Sequence, residues 1–298
     1  MKLLAYDVGG TEIKYALIED ALNLSDQGYV PTPLDSFDHF IEVIRQIYEP
    51  YRNEADGIAM CLPGPVDVEN GLCEKCSIMK YPHSSEVARI LGEACGTKVV
   101  LENDAKAAVL AEYRYGSLKG CRNAAAFVIG TGVGGGLIVD HEIVRGKRFT
   151  AGEFSFLSTD AAHYEDPDKM LGSLCSTSFL LRRYQELSHS EVIDGREFFR
   201  RYPDDVNAQI ALDELCRNIA VQIYNLYWLL DLEKVAIGGG ISRQPVLIEK
   251  IREKFNEVQS KAFTARFGTS LPLEIVPCRF SNDANLIGAY ITFETLSR

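Results

Sequence analysis

Apolar positions change their period several times along the first 115 residues. Lys2 to Val8 is a compact apolar run that ends at Asp7 and Val8, and after Gly9-Gly10-Thr11 a second β-like run covers Ile13 to Ile18. The turn is too short for a crossover, so the spacing predicts a strand, a glycine turn and a returning strand. From Phe37 to Tyr48, apolar side chains recur at helical spacing behind Asp35 and Ser36, which can cap the helix. Gly57 to Leu62 reads as a buried strand ending at Pro63-Gly64-Pro65. Ser84 to Ala94 has a helical pattern, Lys98 to Leu101 that of a strand, and Ala105 to Tyr115 is an Ala-rich helix stopped at Gly116.

A second, similar series follows. Asn123 to Ile129 is an apolar strand, Gly130 to Gly136 a glycine-rich turn, and Leu137 to Asp140 a returning strand, so strand, glycine turn and strand occur twice as a weak internal repeat. Leu171 to Glu186 and Ala208 to Leu232 carry helical patterns. Lys234 to Ile237 is a strand stopped by Gly238-Gly239-Gly240, Val246 to Val258 a helix, and Asn285 to Leu296 a last amphipathic helix. Strands alternating with helices predict an α/β fold with largely parallel sheets. A chain of 298 residues exceeds the usual size of a single core, so two domains with a cleft are expected. Glycine and charge content put the hinge near 116 to 120, giving domains 1–117 and 118–284 with the last helix, 285–298, packed back on the first.

Composition narrows the function classes. The net charge is -11, and no stretch gathers Lys and Arg into a basic stripe, which argues against nucleic acid and anionic membranes. It does not argue against a nucleotide, because backbone N–H groups and a metal ion can hold phosphates. The N-terminus reaches Asp7 too early for a signal peptide, and no apolar run approaches a membrane span of about 20 residues, so a cytoplasmic protein is expected. The eight Cys are scattered and read as reduced thiols. Cys73 and Cys76 have C-x-x-C spacing without the second pair or the His that a zinc site needs.

The chemistry is carried by glycine turns and one acidic tetrapeptide. Gly9 and Gly10 let a backbone approach a phosphate, Thr11 adds a hydroxyl, and Asp7 at the strand end can hold Mg²⁺ directly or through water. Taken alone, this is as readily a hairpin turn. It is neither a P-loop nor a dinucleotide fingerprint, since no G-K-[ST] follows and a strand rather than a helix comes next. Gly130 to Gly136 holds five Gly in seven residues, again with a Thr near its start, and Gly238-Gly239-Gly240 follows a third strand. Three glycine clusters at strand ends favour a polyphosphate gripped from two sides. Glu102-Asn103-Asp104-Ala105 sits at a strand-to-helix junction, where a carboxylate can take a proton from a hydroxyl during phosphoryl transfer. By itself it reads first as a helix cap, and the two glycine turns reverse that preference.

In order and spacing, Asp7-x-Gly9-Gly10-Thr11-x-x-Lys14, Glu102-Asn103-Asp104-Ala105, Gly130-Thr131-Gly132-x-Gly134-Gly135-Gly136, Ala151-Gly152-Glu153 and Gly238-Gly239-Gly240 resemble the ROK family of bacterial sugar kinases and related repressors. The resemblance runs from residue 3 to about 294. It implies the actin-like ATPase fold, ATP and Mg²⁺ as cofactors, and a homodimer. It further implies that Gly9, Gly10, Thr11 and Lys14, with Gly130, Thr131 and Gly132, approach the ATP phosphates, and that Gly238 and Gly239 adjoin adenosine. Asn103, Gly64 and Glu153 would bind the sugar, and Asp104 would deprotonate the attacking hydroxyl.

The sequence departs from the family just after Glu153. A Gly-His pair and a Cys-rich zinc loop usually follow, whereas here Glu153-Phe154-Ser155-Phe156 leads into a region whose only Cys, up to Leu180, is Cys175. No structural zinc is therefore expected. Phe156 stands where the His would be, and its ring can stack on a pyranose face. The expected reaction is phosphorylation of a sugar hydroxyl, the C6 hydroxyl of a hexose, an N-acylhexosamine or a β-glucoside. Glucose, N-acetylmannosamine, fructose and cellobiose are the candidates. A repressor's N-terminal helix-turn-helix has no room before residue 7. A catalytically silent sugar or nucleotide sensor is the alternative, and a base beside Asn103 argues against it.

Overall fold

The two strand, glycine-turn, strand patterns become two meanders of the same design. The computed structural model describes residues 1–20, 22–81, 83–191, 193–268 and 271–297. From the N-terminus the chain runs through β1 (Lys2–Val8), β2 (Glu12–Glu19), β3 (Asn23–Pro31), α1 (Phe37–Tyr48), β4 (Gly57–Leu62), α2 (Val87–Cys95), β5 (Val99–Asn103) and α3 (Asp104–Tyr115). It continues through β6 (Ala124–Ile129), β7 (Val133–Val139), β8 (Glu142–Ile143), α4 (Leu171–Leu174), α5 (Thr177–Ser188), α6 (Gly195–Arg201) and α7 (Val206–Leu230). Last come β9 (Lys234–Gly238), α8 (Pro245–Lys261), β10 (Glu274–Pro277) and α9 (Ala284–Leu296).

One sheet has the order β3-β2-β1-β4-β5 and the other β8-β7-β6-β9-β10. In each, a three-strand antiparallel meander is extended by two parallel strands. The repeat read from the glycine runs is therefore a repeat of sheet topology. The chain forms two compact units, residues 1–111 with 145–151 and 283–298, and residues 112–144 with 152–282. The division falls within α3, before the Gly116 at which the sequence suggested a hinge. The segment 145–151 belongs to the first unit, and of the final range 285–298 the last residue lies outside the described residues.

Each unit closes on its own core. In the first, Tyr6, Phe40, Ile44, Ile58 and Leu101 are fully buried, and in the second Phe127, Phe198, Leu215, Ile219 and Ile237. Each such side chain contributes roughly 1.5–3 kcal/mol on leaving water.

Several elements differ from expectation for identifiable reasons. β3 was not foreseen because it is an edge strand with mostly exposed positions. The expected helix from Leu171 to Glu186 is broken at Cys175 and Ser176, where Ser176 Oγ accepts from the Phe179 N–H and restarts the chain as α5. α9 is buried almost all round rather than amphipathic, because it packs against β1, β4 and β5. The glycine run Gly130 to Gly136 is a turn only over its first three residues. Gly134, Gly135 and Gly136 lie in β7, paired with Val128, Phe127 and Ala126. A Cβ on Gly135 would stand 2.3 Å from the Phe154 ring, so there glycine makes room for an aromatic side chain rather than for a phosphate.

Candidate functional site

Because β1, β4 and β5 are parallel, their carboxyl ends share one edge of the first sheet. Register sets Asp7 beside Cys61 and Cys61 beside Glu102, so Asp7 and the Glu102-Asn103-Asp104 segment stand two strands, about 10 Å, apart. The β1–β2 turn is tied by the Gly9 N–H to the Glu12 carbonyl at 3.0 Å, and by the Thr32 hydroxyl to the Gly9 carbonyl at 2.7 Å. Gly10 and Thr11 are exposed at its tip. Asp7 is partly buried, and its carboxylate accepts from the Asn285 amide at 2.9 Å, a contact supplied by the first turn of α9. Burial holds its pKa above the usual carboxylate range, against the opposing pull of Asn285 and of Lys14. Lys14 is the cross-strand partner of Asp7, and its ammonium lies 3.4 Å from Glu12.

Asn103 and Asp104 meet at the junction of β5 and α3. Asn103 is buried, and its carbonyl oxygen accepts from the Lys106 N–H at 2.9 Å, capping α3. Its amide donates to the Gly64 carbonyl and to Asp104 Oδ1, each at 3.1 Å. Asp104 Oδ1 also accepts from the Ala105 N–H at 2.7 Å. The cap reading and the carboxylate reading of this tetrapeptide are thus divided between two residues: Asn103 is the cap, and Asp104 is a partly buried carboxylate held by that cap. Gly64, expected as a sugar ligand, acts here through its backbone carbonyl. Its φ of +118° suits glycine, and a Cβ would come within 2.1 Å of the Lys75 carbonyl.

Sequence reasoning missed the support behind this pair. Glu102, 1% exposed, accepts from Arg145 Nη2 at 2.5 Å, from the Thr292 hydroxyl at 3.1 Å and from the Asn103 N–H at 2.9 Å. Buried Lys106 donates to the Phe149 carbonyl at 3.2 Å. Together these bonds pin the segment 145–151 to the first unit. Glu102 lies within the recognised tetrapeptide, but nothing local in the sequence marks Arg145 as its partner.

In the second unit, β6 and β9 are parallel neighbours with Val128 opposite Gly238, which brings the Gly130-Thr131-Gly132 turn and Gly238-Gly239 together on one edge. The turn is closed by the Gly130 N–H to the Gly132 carbonyl at 2.9 Å. It is seated on α5, whose Thr177 N–H and Ser178 hydroxyl donate to the carbonyls of Gly130 and Thr131, each at 2.9 Å. A helix N-terminus therefore lies under the turn, with the positive end of its dipole directed there. The helix that follows Gly238-Gly239 is α8, Pro245–Lys261. A 3₁₀ turn, Gly240–Arg243, intervenes, with Ser242 Oγ donating to the Gly239 carbonyl at 2.8 Å.

Glu153 is partly buried at the start of a 3₁₀ turn, Phe154–Phe156. Phe154 packs against Phe127 with the rings tilted by 35° and their centroids 4.7 Å apart, while Phe156 is 78% exposed. Cys175 is buried in the core of the second unit.

Comparison with known proteins agrees with the motif reading. The sequence pattern of the ROK family matches residues 3–295. A beta-glucoside kinase of Klebsiella pneumoniae is 28% identical over 302 residues, covering 100% of this chain and 98% of its own. A beta-glucoside kinase of Listeria monocytogenes is 29% identical over 297 residues, with 98% and 97% covered. Among solved structures, a ROK family protein from Streptococcus pneumoniae in complex with sucrose superimposes with a TM-score of 0.88 at 28% identity, covering 100% of this chain and 99% of that one.

Proposed function

The chain belongs to the ROK family and has its actin-like ATPase fold, and we propose that it transfers the γ-phosphoryl group of Mg·ATP to a sugar hydroxyl with Asp104 as general base. The observation that carries this reading is the position of Asp104. It is a carboxylate at the end of a parallel strand, oriented by Asn103 and by the Ala105 N–H, on the sheet edge that also bears the Gly9 to Thr11 turn.

In this reading the backbone of Gly9, Gly10 and Thr11 and that of Gly130, Thr131 and Gly132 holds phosphates, and Gly238 with Gly239 adjoins adenosine. Asp7 fits a Mg²⁺ ligand. It is a single carboxylate beside a phosphate turn, kept above its ordinary pKa by burial, and such a group gains from a nearby cation. Bound there with the nucleotide, the ion would offset phosphate charge. Asp104 accepts the proton of the attacking hydroxyl, and Asn103 and the Gly64 carbonyl fix the direction from which it does so. Glu153 is assigned to sugar recognition. Exposed Phe156 offers an aromatic face to a second sugar ring or an aglycone, which, with the names of the relatives, favours a β-glucoside such as cellobiose over a free hexose.

The test is a coupled ADP-release assay over cellobiose, glucose, N-acetylmannosamine and fructose with Mg·ATP. Cellobiose should give the highest kcat/KM, and ADP release with none of a broad sugar panel would contradict the proposal.

A further inference from the structure

α9 begins against the strand that carries Asp7. Asn285, its second residue, is held on two sides: the Cys61 thiol donates to its backbone carbonyl at 3.2 Å, and its own side-chain amide donates to Asp7 Oδ1 at 2.9 Å. Asp7 and Cys61 are partners across the parallel pair β1 and β4, so one helical residue bridges two strands at the edge that bears the Gly9 to Thr11 turn. The helix is fixed there by more than this contact. It packs on β1, β4 and β5 and is buried almost all round. Gly288 lies so close to α3 that a Cβ would stand 1.9 Å from the Ala107 carbonyl, and Thr292, two turns beyond Asn285, donates to Glu102 at 3.1 Å. The packing of the whole helix therefore sets where the Asn285 amide stands.

Among the described residues no other group hydrogen-bonds to the Asp7 carboxylate, so Oδ1 is committed and Oδ2 is left without a partner. The last torsion of an Asp side chain is soft, and a single bond to Oδ1 decides how Oδ2 is turned. A carboxylate that takes a cation needs such a fixed orientation, and partners that supply it from behind are commonly worth about 10–100-fold in metal affinity.

We propose that Asn285 is a positioning residue for the metal: by holding Oδ1 it keeps Asp7 Oδ2 free and fixed for the divalent cation that accompanies the nucleotide. This rests on the function proposed above, which assigns the cation to Asp7. Because the Cys61 thiol bonds to the backbone carbonyl of Asn285, truncating the side chain removes the contact with Asp7 and keeps the one with Cys61.

The test compares the full chain with Asn285→Ala and Asn285→Ser, both too short to reach Oδ1, and with Thr292→Val, which frees the same helix from Glu102 and leaves the bond to Asp7 in place. Mn²⁺ stands in for Mg²⁺. With each protein saturated by a non-hydrolysable ATP analogue, bound Mn²⁺ is read from the loss of its free electron paramagnetic resonance signal, beside urea unfolding and the Mg²⁺ dependence of turnover on the best sugar. The two Asn285 variants should bind Mn²⁺ about tenfold more weakly and need correspondingly more Mg²⁺, with the KM for sugar unchanged. Thr292→Val should unfold at lower urea and bind Mn²⁺ as the parent does. Unaltered Mn²⁺ affinity in the folded Asn285 variants would overturn the proposal, and so would an equal loss in Thr292→Val, since Asn285 would then act only as part of the scaffold. A parent that binds Mn²⁺ with the nucleotide analogue but phosphorylates no sugar would count against the kinase reading alone, and the titration would still decide Asn285.

Discussion

The Asn103 amide donates to the Asp104 carboxylate at 3.1 Å while the carbonyl oxygen of the same side chain caps α3 through the Lys106 N–H at 2.9 Å. One residue thus starts the helix and aims its first side chain.

Asn103→Asp separates these tasks. An oxygen still accepts from Lys106, so the α3 cap is kept, while loss of the amide bonds to Gly64 and Asp104 lowers the thermal midpoint. A second carboxylate beside Asp104 disfavours its ionised form and raises its pKa. The acid limb of the kcat profile should therefore move to higher pH, because the base becomes available only there. A lower kcat with an unmoved limb would contradict this orientation.

Glu102→Gln tests the support beneath the pair. It leaves the Arg145 guanidinium without its counter-charge, and removing one partner of a buried ion pair costs about 3–5 kcal/mol. Arg145 keeps 24% of its side chain in solvent, so roughly 3 kcal/mol is expected in urea unfolding. A change near zero would show that the segment 145–151 is held by other contacts.

Asp205 caps α7 by accepting from the Asn207 N–H, and it accepts the Tyr184 hydroxyl at 2.7 Å. That hydroxyl, more than any other group, holds its pKa below the usual range. A depressed carboxylate pKa means stability that is present above the unfolded value, about 4, and lost as pH falls through the folded one. Asp205→Ala should thus cost about 1 kcal/mol at neutral pH, with the difference closing in acid. A pH-independent difference would contradict the linkage.

What the sequence disclosed and what it hid divide along a physical line. β1, α1 and the glycine turns were legible because their signals are local: a buried run, a 3.6-residue period, Gly at a strand end. The tetrapeptide at 102–105 was legible only as a choice between cap and base, and the structure puts the cap on Asn103, with the Asp104 carboxylate beside it. Gly135 was misread because a glycine serving a neighbouring ring looks the same in sequence as one serving a phosphate. The Glu102 to Arg145 pair spans 43 residues and leaves no periodic trace.

Glu153→Gln should raise the KM for sugar while leaving ATP affinity without sugar unchanged, since Glu153 lies outside the glycine turns assigned to phosphate. Sugar should also raise ATP affinity in the parent protein, with the reciprocal effect of ATP on sugar that linkage requires. Calorimetric titration of each ligand with and without the other measures both, and an equal loss of ATP affinity in the variant would remove Glu153 from sugar recognition.

The central claim is most directly tested by Asp104→Asn, which keeps an oxygen for the Ala105 N–H but cannot accept the substrate proton. Steady-state turnover of ATP with the best sugar should fall about 10²-fold or more in kcat, the scale of lost general-base catalysis, while ATP and sugar still bind within a few-fold of the parent. Turnover within a few-fold of the parent would contradict the assignment of Asp104 as the base.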